Sequence, residues 1–226
     1  MAWNVAYSDL KARILRLADV ENNPRHTDGL LMQFCNSSVA KLHDQLSSKI
    51  QDYDVVTHDV TISPSVSTYA LPDDFMALRL LEVDDGSGSN WTQVFSYPLQ
   101  RRPYYDTASI LSTTSLRYRL VGSNLIFAPM PTAQATARIW YVPTAPTFAN
   151  VGSVIDFVNG WDNFVLWDVA SMICKIDDRA SSAQAMTAEA QRIMSDIVSI
   201  AAKRNRAEPE QIIQYPDDIY YTAGRY

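Results

Sequence analysis

Apolar residues recur at helical spacing towards both ends of this 226-residue chain and at every second position between them. No segment can serve both periods. A helix gathers i, i+3, i+4 and i+7 on one face, whereas a strand gathers i, i+2 and i+4. The order of the two patterns therefore sets the outline as helices, then strands, then helices. The clearest helical stripe is Leu31, Cys35, Val39, Leu42, Leu46 and Ile50, at steps of 4, 4, 3, 4 and 4. It turns one face to a core, and Thr27 or Asp28 starts it. An earlier helix takes Ser8 as its cap and Leu10, Ile14 and Leu17 as its apolar positions, until Asn22, Asn23 and Pro24 break it.

The period changes at Val56. Val56, His58, Val60 and Ile62 alternate with Thr57, Asp59 and Thr61, which predicts a half-buried strand. A second strand covers about Leu78 to Val83. Asp84 to Asn90 is a loop, and Pro98 to Thr114 is irregular. Gly122-Ser123 separates Leu116–Val121 from Asn124–Pro129 and predicts a hairpin with a two-residue type II′ turn. That register pairs Leu120 with Leu125 and Tyr118 with Phe127, and sends Arg117 and Arg119 to the other face. A further strand runs from Ala137 to Val142, and Pro143 and Pro146 end the sheet region.

Asp156 or Asn159 opens a third helix to about Asp178, with Phe164, Trp167, Ala170, Ile173 and Cys174 facing inward. Ser181 or Ser182 caps a fourth helix to about Arg206. Its seam of Met186, Ala190, Ile193, Ile197 and Ile200 has coiled-coil spacing. A short turn makes these two helices an antiparallel hairpin. Strands grouped in one block, without strand–helix alternation, give an α+β fold. It has a helical body, a central antiparallel β block and an extended C-terminal arm. The expected organisation is a single domain, with helices over 1–53, the β block over 54–150, the helix hairpin over 156–206 and the arm over 207–226.

Composition narrows the function. A 47% apolar content allows a well-buried core, while a net charge of −6 and a pI of about 5.0 argue against broad attraction to phosphates or an anionic membrane. No run approaches the ~18 apolar residues of a membrane span. Met1 to Leu10 lacks the basic start and apolar run of a signal peptide. Folding in a reducing cytoplasm is expected. Cys35 and Cys174 lie inside helical apolar patterns and read as core thiols.

Reactive constellations are sparse. The chain has seven glycines and no Gly-rich phosphate loop, no His-Glu-x-x-His and no Gly-x-Ser-x-Gly. His26, His43 and His58 fall in a loop, a helix and a strand, and read as ordinary surface or edge histidines rather than metal ligands. The Asp pairs 73–74, 84–85, 177–178 and 217–218 read as turn and cap residues. Arg101, Arg102, Arg117, Arg119 and Arg138 make the middle locally basic. That suits either a solvated sheet face with cross-strand pairs or a subunit contact. Trp161 and Trp167 read as helix contacts rather than a sugar platform. No catalytic, cofactor-binding or metal-binding residue is assigned.

Two stretches carry a family resemblance. One is Tyr69-Ala-Leu-Pro-Asp-Asp-Phe followed by Leu78-Arg-Leu-Leu-Glu-Val, a strand end, a turn that brings Phe75 inward, and a second strand. The other is the C-terminal pair of helices, opened by Trp161-Asp162-Asn163 and closed by Arg204-Asn205-Arg206 and Pro209-x-x-Ile212. With the leading helices, these resemble the head–tail adaptor (connector) proteins of short-tailed and related tailed bacteriophages, in order and length. The resemblance implies a virion structural protein without enzymatic activity, made in the host cytoplasm and placed at the head–tail junction. It implies a homo-oligomeric ring beneath the portal, usually a dodecamer. Genomic DNA would pass through the ring without sequence-specific binding, and tail nozzle or tail fibre proteins would attach through the β block. No membrane partner is implied.

The last residues, Ala207 to Tyr226, fit an interaction role on their own chemistry. They are apolar and Tyr-rich, broken by Pro209 and Pro216, and match neither helix nor strand. Such a segment needs another surface to lie on. About twenty residues span roughly 65 Å when extended. Ile212, Ile213, Tyr215, Tyr220, Tyr221 and Tyr226 are its expected anchors, since tyrosine is large, rigid and amphipathic. Two other readings remain open here. One is a tail-tube or nozzle component reaching other tail proteins or a host receptor. The other is a small carbohydrate-active enzyme using an Asp pair with Trp161 or Trp91.

Overall fold

A computed structural model describes residues 3–204, apart from 22, 51–52, 85, 87, 89, 102–115 and 159. Four α-helices stand among the described residues: α1 (Tyr7–Leu17), α2 (Asp28–Lys49), α3 (Asp162–Ile176) and α4 (Ala180–Arg204). The strands are β1 (Trp3–Ala6), β2 (Val56–Ile62), β3 (Thr68–Ala70), β4 (Phe75–Asp84), β5 (Trp91–Gln93), β6 (Phe95–Ser96), β7 (Arg117–Val121), β8 (Asn124–Ala128), β9 (Ala135–Pro143) and β10 (Val154–Phe157). The fold is α+β, with a helical body and a β block between its two halves.

The helical core follows from the apolar stripes. All six predicted positions of α2 are buried, and they meet Leu10 and Ile14 of α1, Phe164, Ala170, Ile173 and Cys174 of α3, and Ala183, Ala190, Ile197 and Ala201 of α4. Thr27 caps α2 by accepting from the Leu30 amide. The other expected caps fail. Ser8 lies inside α1, whose N-cap is Ala6, and Ser181 and Ser182 lie inside α4. Asp156 is a strand residue of β10, and α3 begins at Asp162 after the turn at Gly160. The seam of α4 is also displaced. Met186 and Ile193 flank it half-buried, and Ile200 is 55% exposed while Ala201 is buried. Alanines at 183, 190 and 201 let α4 approach the body closely. A straight 3.6-residue helix also drifts away from a strict seven-residue seam.

Two helix ends share one device. Asp19 and Asp178 adopt left-handed φ of 54° and 53° just past α1 and α3. The Val20 amide then donates to the Leu15 carbonyl at 3.0 Å, and the Arg179 amide to the Cys174 carbonyl at 2.9 Å. These are Schellman caps, in which Asp takes the place usually given to Gly. They reverse the chain sharply, so that three residues suffice between α3 and α4.

The β block is two four-stranded sheets, ordered β2-β9-β4-β5 and β3-β8-β7-β6. Their pairings are antiparallel except β6 with β7, which is parallel. The sheets share a core that includes Ile62, Leu81, Val83, Leu125, Phe127 and Ile139. The hairpin forms in the expected register, with Leu120 opposite Leu125 and Tyr118 opposite Phe127. Gly122 takes φ +59° at its first turn position, and a Cβ there would meet nothing within 4 Å, so the glycine answers a backbone need alone. β2 departs from the half-buried expectation: of its alternating apolar set only Ile62 is buried, because β2 is an edge strand paired to β9 alone. The sheet region also does not end at Pro146. β10 follows it and pairs antiparallel with β1 as a separate ribbon.

Body and block are joined by specific bonds. Asn36 on α2 donates to the Phe148 carbonyl at 3.1 Å and accepts from its amide at 2.8 Å, while Phe148 packs on Tyr7 with ring centroids 5.6 Å apart. Arg79 on β4 donates to the Ser47 carbonyl at 2.7 Å. Within the body, Arg13 of α1 donates to the carboxylate of Asp162 at 2.6 Å and to Asn163 at 2.9 Å.

Asp162 is buried, and removing its cation strands a charge away from water. Breaking a buried pair costs about 3–5 kcal/mol. Arg13 is partly exposed, so Arg13→Ala is expected to cost about 2–3 kcal/mol after discounting for solvent screening. The urea midpoint, at unchanged denaturant slope, measures this; a loss indistinguishable from that of an exposed Arg→Ala change would refute it.

Candidate interaction surfaces

The six expected anchors, Ile212, Ile213, Tyr215, Tyr220, Tyr221 and Tyr226, lie outside the described residues, as does the whole segment 207–226. The last described element is α4, which runs to Arg204. Beside that end lies a groove that the sequence did not disclose.

The groove consists of two adjoining hollows. The larger, about 610 Å³, is lined by Leu42, His43, Ile50, Tyr53, Asp54, Thr144, Asp156, Trp161 and Ala201 among others. The smaller, about 390 Å³, is lined by Val158, Gly160, Trp161, Ile193, Asp196, Ile197 and Ile200. Val158 and Trp161 belong to both. Six separate segments build it: the end of α2, the turn after it, the β9–β10 connection, β10, the turn from β10 to α3, and α4. No spacing pattern in the sequence could have joined them.

His43 is the most constrained polar group of this groove. It is 4% exposed, and neither ring nitrogen has a hydrogen-bond partner among the described residues. Its Nε2 lies 3.4 Å from an Asp54 carboxylate oxygen. Tyr53 meets the His43 ring edge-on at 5.9 Å and faces Trp161 at 6.2 Å. Asp54 owes its place to a left-handed φ of 52°, which Asp tolerates better than most residues. Asp156 accepts from the Trp3 amide at 2.6 Å.

The locally basic middle is spread over two sheets. Arg138 donates twice to Asp59 across β9 and β2, both at 2.8 Å, and its guanidinium lies 4.1 Å over the Trp91 ring. This is a cross-strand pair on a solvated face. Arg117 and Arg119 lie on β7, where Arg117 sits 5.4 Å over Phe95 and Arg119 donates to the Tyr97 carbonyl at 3.3 Å. Arg101 ends a 3-10 turn, Leu99–Arg101, and is exposed. Arg102 lies outside the described residues.

The remaining candidates resolve into structural roles. His26 and His43 are buried, contrary to the surface expectation; His26 is drawn in because its Nε2 meets Asp177 at 3.1 Å, tying the loop before α2 to the α3–α4 turn. His58 is exposed on β2. Among the described residues, no group of three metal-ligating side chains comes together. The described Asp pairs serve turns. Asp74 accepts from the Tyr141 hydroxyl, Asp84 accepts from the Gly88 amide, and Asp177–Asp178 end α3. Burial, helped by the Asp74 bond, pushes the Tyr141 hydroxyl up to about 12. Cys35 and Cys174 are buried free thiols, and burial pushes Cys35 up to about 12. Trp161 is buried beneath the groove and Trp167 is half-buried against the helical core. No described helix is long and apolar enough to cross a membrane.

Comparison with known families matches residues 5–212 to the family described as SU10 adaptor protein. That span reaches from β1 past the end of α4. No curated protein matches the chain.

The hydrogen bonds from Arg138 hold the Asp59 carboxyl below its ordinary range, against the opposing pull of desolvation. A depressed folded value means that the pairing is fully present above the unfolded carboxyl range and is lost as pH falls through the folded value. Arg138→Gln is therefore expected to return the Asp59 titration towards ~3.9. A carbon-detected NMR titration reads this directly, and an unchanged midpoint would show that the pair does not control Asp59.

The chain belongs to the SU10 adaptor protein family, a family of phage structural adaptors.

Proposed function

We propose that this phage adaptor joins head to tail. Copies of it form a ring between the portal and the tail, genomic DNA passes through the centre, and the outer part gives tail proteins a platform. The observation that carries this reading is the family assignment across residues 5–212, which takes in the helical body, the β block and the start of the terminal segment. In this reading the helical body makes ring contacts that the arginine-bearing sheet of the next copy meets, the rest of the β block faces tail nozzle or tail fibre proteins, and residues 207–226 run to the portal. A net charge of −6 is compatible with a channel wall past which DNA moves without being gripped. A ring needs two different patches on each subunit, and the groove and the arginine-bearing sheet are two such patches. Ordering the terminal segment on a neighbour would cost entropy, which several buried tyrosines and isoleucines offset.

Among the described residues, Ala201 is the last that the helical core buries. A chain lacking 207–226 is therefore expected to keep its circular dichroism and unfolding midpoint, yet fail to join portal-containing heads. The full-length variant Ile212→Asp with Ile213→Asp is expected to fail in the same way. Undiminished head binding by both would remove the role assigned to this segment. Mass and rotational symmetry of the particle that contains the protein decide the wider reading. A ring next to the portal supports it, whereas a position in the tail tube or at the distal nozzle replaces it with a tail-component role.

A further inference from the structure

Two surfaces of this subunit carry opposite charge. The strands of the sheet β3-β8-β7-β6 hold Arg117 and Arg119 and no aspartate or glutamate. At the rim of this sheet the 3-10 turn adds Arg101, and Phe95 and Leu99 are 54% and 53% exposed. The groove on the helical body is the reverse. Its described lining holds Asp54, Asp156 and Asp196 and no lysine or arginine. Arg192 shares Asp196 at 2.8 Å, and the Trp3 amide takes one oxygen of Asp156. Asp54 keeps an exposed carboxylate beside the Tyr53 ring, with the buried, hydrogen-bond-deficient His43 behind it. Ile200 contributes an exposed apolar wall.

Two unlike patches on one chain, complementary in charge and both partly apolar, suit head-to-tail association rather than a two-fold dimer. Arginine is the fitting residue for such a contact, because its planar cation can pair with a carboxylate and lie against an aromatic ring together. Apolar neighbours on both sides exclude water and strengthen that pair.

We propose that the Phe95–Leu99–Arg101 rim of one copy seats in the groove of the next copy, with Arg101 against Asp54 and Tyr53, and Leu99 or Phe95 against the Ile200 wall. The occupant is a second copy of this chain. The inference rests on the ring reading above and names the contact within it. It sets the repeat of the ring through one patch on the β block and one on the helical body.

The test uses the full chain at high concentration with one cysteine on each side, Gln100→Cys and Ile200→Cys. Both positions are exposed, and the native thiols are buried. A short bismaleimide is expected to give a ladder of dimers, trimers and larger species from the double variant, whereas either single variant stops at a dimer. Arg101→Gln and Asp54→Asn are each expected to cut the ladder about fivefold, and the two together no further, as partners in one pair must. Asn tolerates the left-handed backbone at position 54, so that change leaves the turn intact. A double variant that gives no more than the singles overturns the proposal, as do additive losses from the two charge changes. An amine-reactive cross-linker on the unmodified chain separates the causes. If it gives a ladder while the cysteine pair gives none, the ring stands and this contact falls; if it gives none in assembled particles either, the ring reading itself falls.

Discussion

Asp162 is a carboxylate taken out of water at the start of α3, and one oxygen of it meets Arg13 of α1. A buried charge is tolerated only where an opposite charge and hydrogen bonds answer it. That requirement fixes how the C-terminal helices dock on the N-terminal ones. Arg179 adds a second tie by donating to the Ala18 carbonyl at 2.6 Å, where the Schellman turn of α1 presents it. With both ends of α3 pinned to α1, the direction of α4 follows from a three-residue turn. The groove follows from that direction.

Elements defined by local patterns were legible in the sequence. The stripe of α2, its Thr27 cap, and the hairpin about Gly122 with its register all depend on residues within a few positions of one another. Elements that exist only through distant partners were not. β1 and β10 are four-residue strands that pair across some 150 positions, as Trp3 with Phe157 and Ala6 with Val154, and neither has a distinctive pattern alone. β5 and β6 are shorter still, and owe their extension to β4 and β7. Ile200 was assigned to the seam of α4 by hydrophobicity, but packing selected the smaller Ala201, because close approach of two helices favours small side chains.

The candidate surfaces divide in the same way. The terminal segment remains an expectation from composition (tyrosine, isoleucine and proline without a period) and lies outside the described residues. The groove was invisible because its residues come from six segments and none is unusual where it stands. Burial of His43 was a tertiary outcome: the sequence put it on α2, and only the turn through Tyr53 and Asp54 enclosed it. The basic middle was legible in content but not in arrangement. Arg138 is absorbed by Asp59 and Trp91, whereas Arg117 lies half-buried over Phe95 on the second sheet and Arg101 is exposed on the turn at its rim.

The placement of the β block inside the helical body has a kinetic consequence. Arg13 and Asp162 are separated by 149 residues, and Asn36 and Phe148 by 112. During synthesis, α1 and α2 emerge first and have no finished core to join until α3 arrives. The two sheets of the block are complete by β9 and share their own core, so they can form while the body is still open. A folded insert also shortens the effective loop that must close to bring α1 to α3, which reduces the entropy cost of that late step. In the interval the apolar stripe of α2 is bare, and that stage is where a chain of this design is most exposed to misassociation.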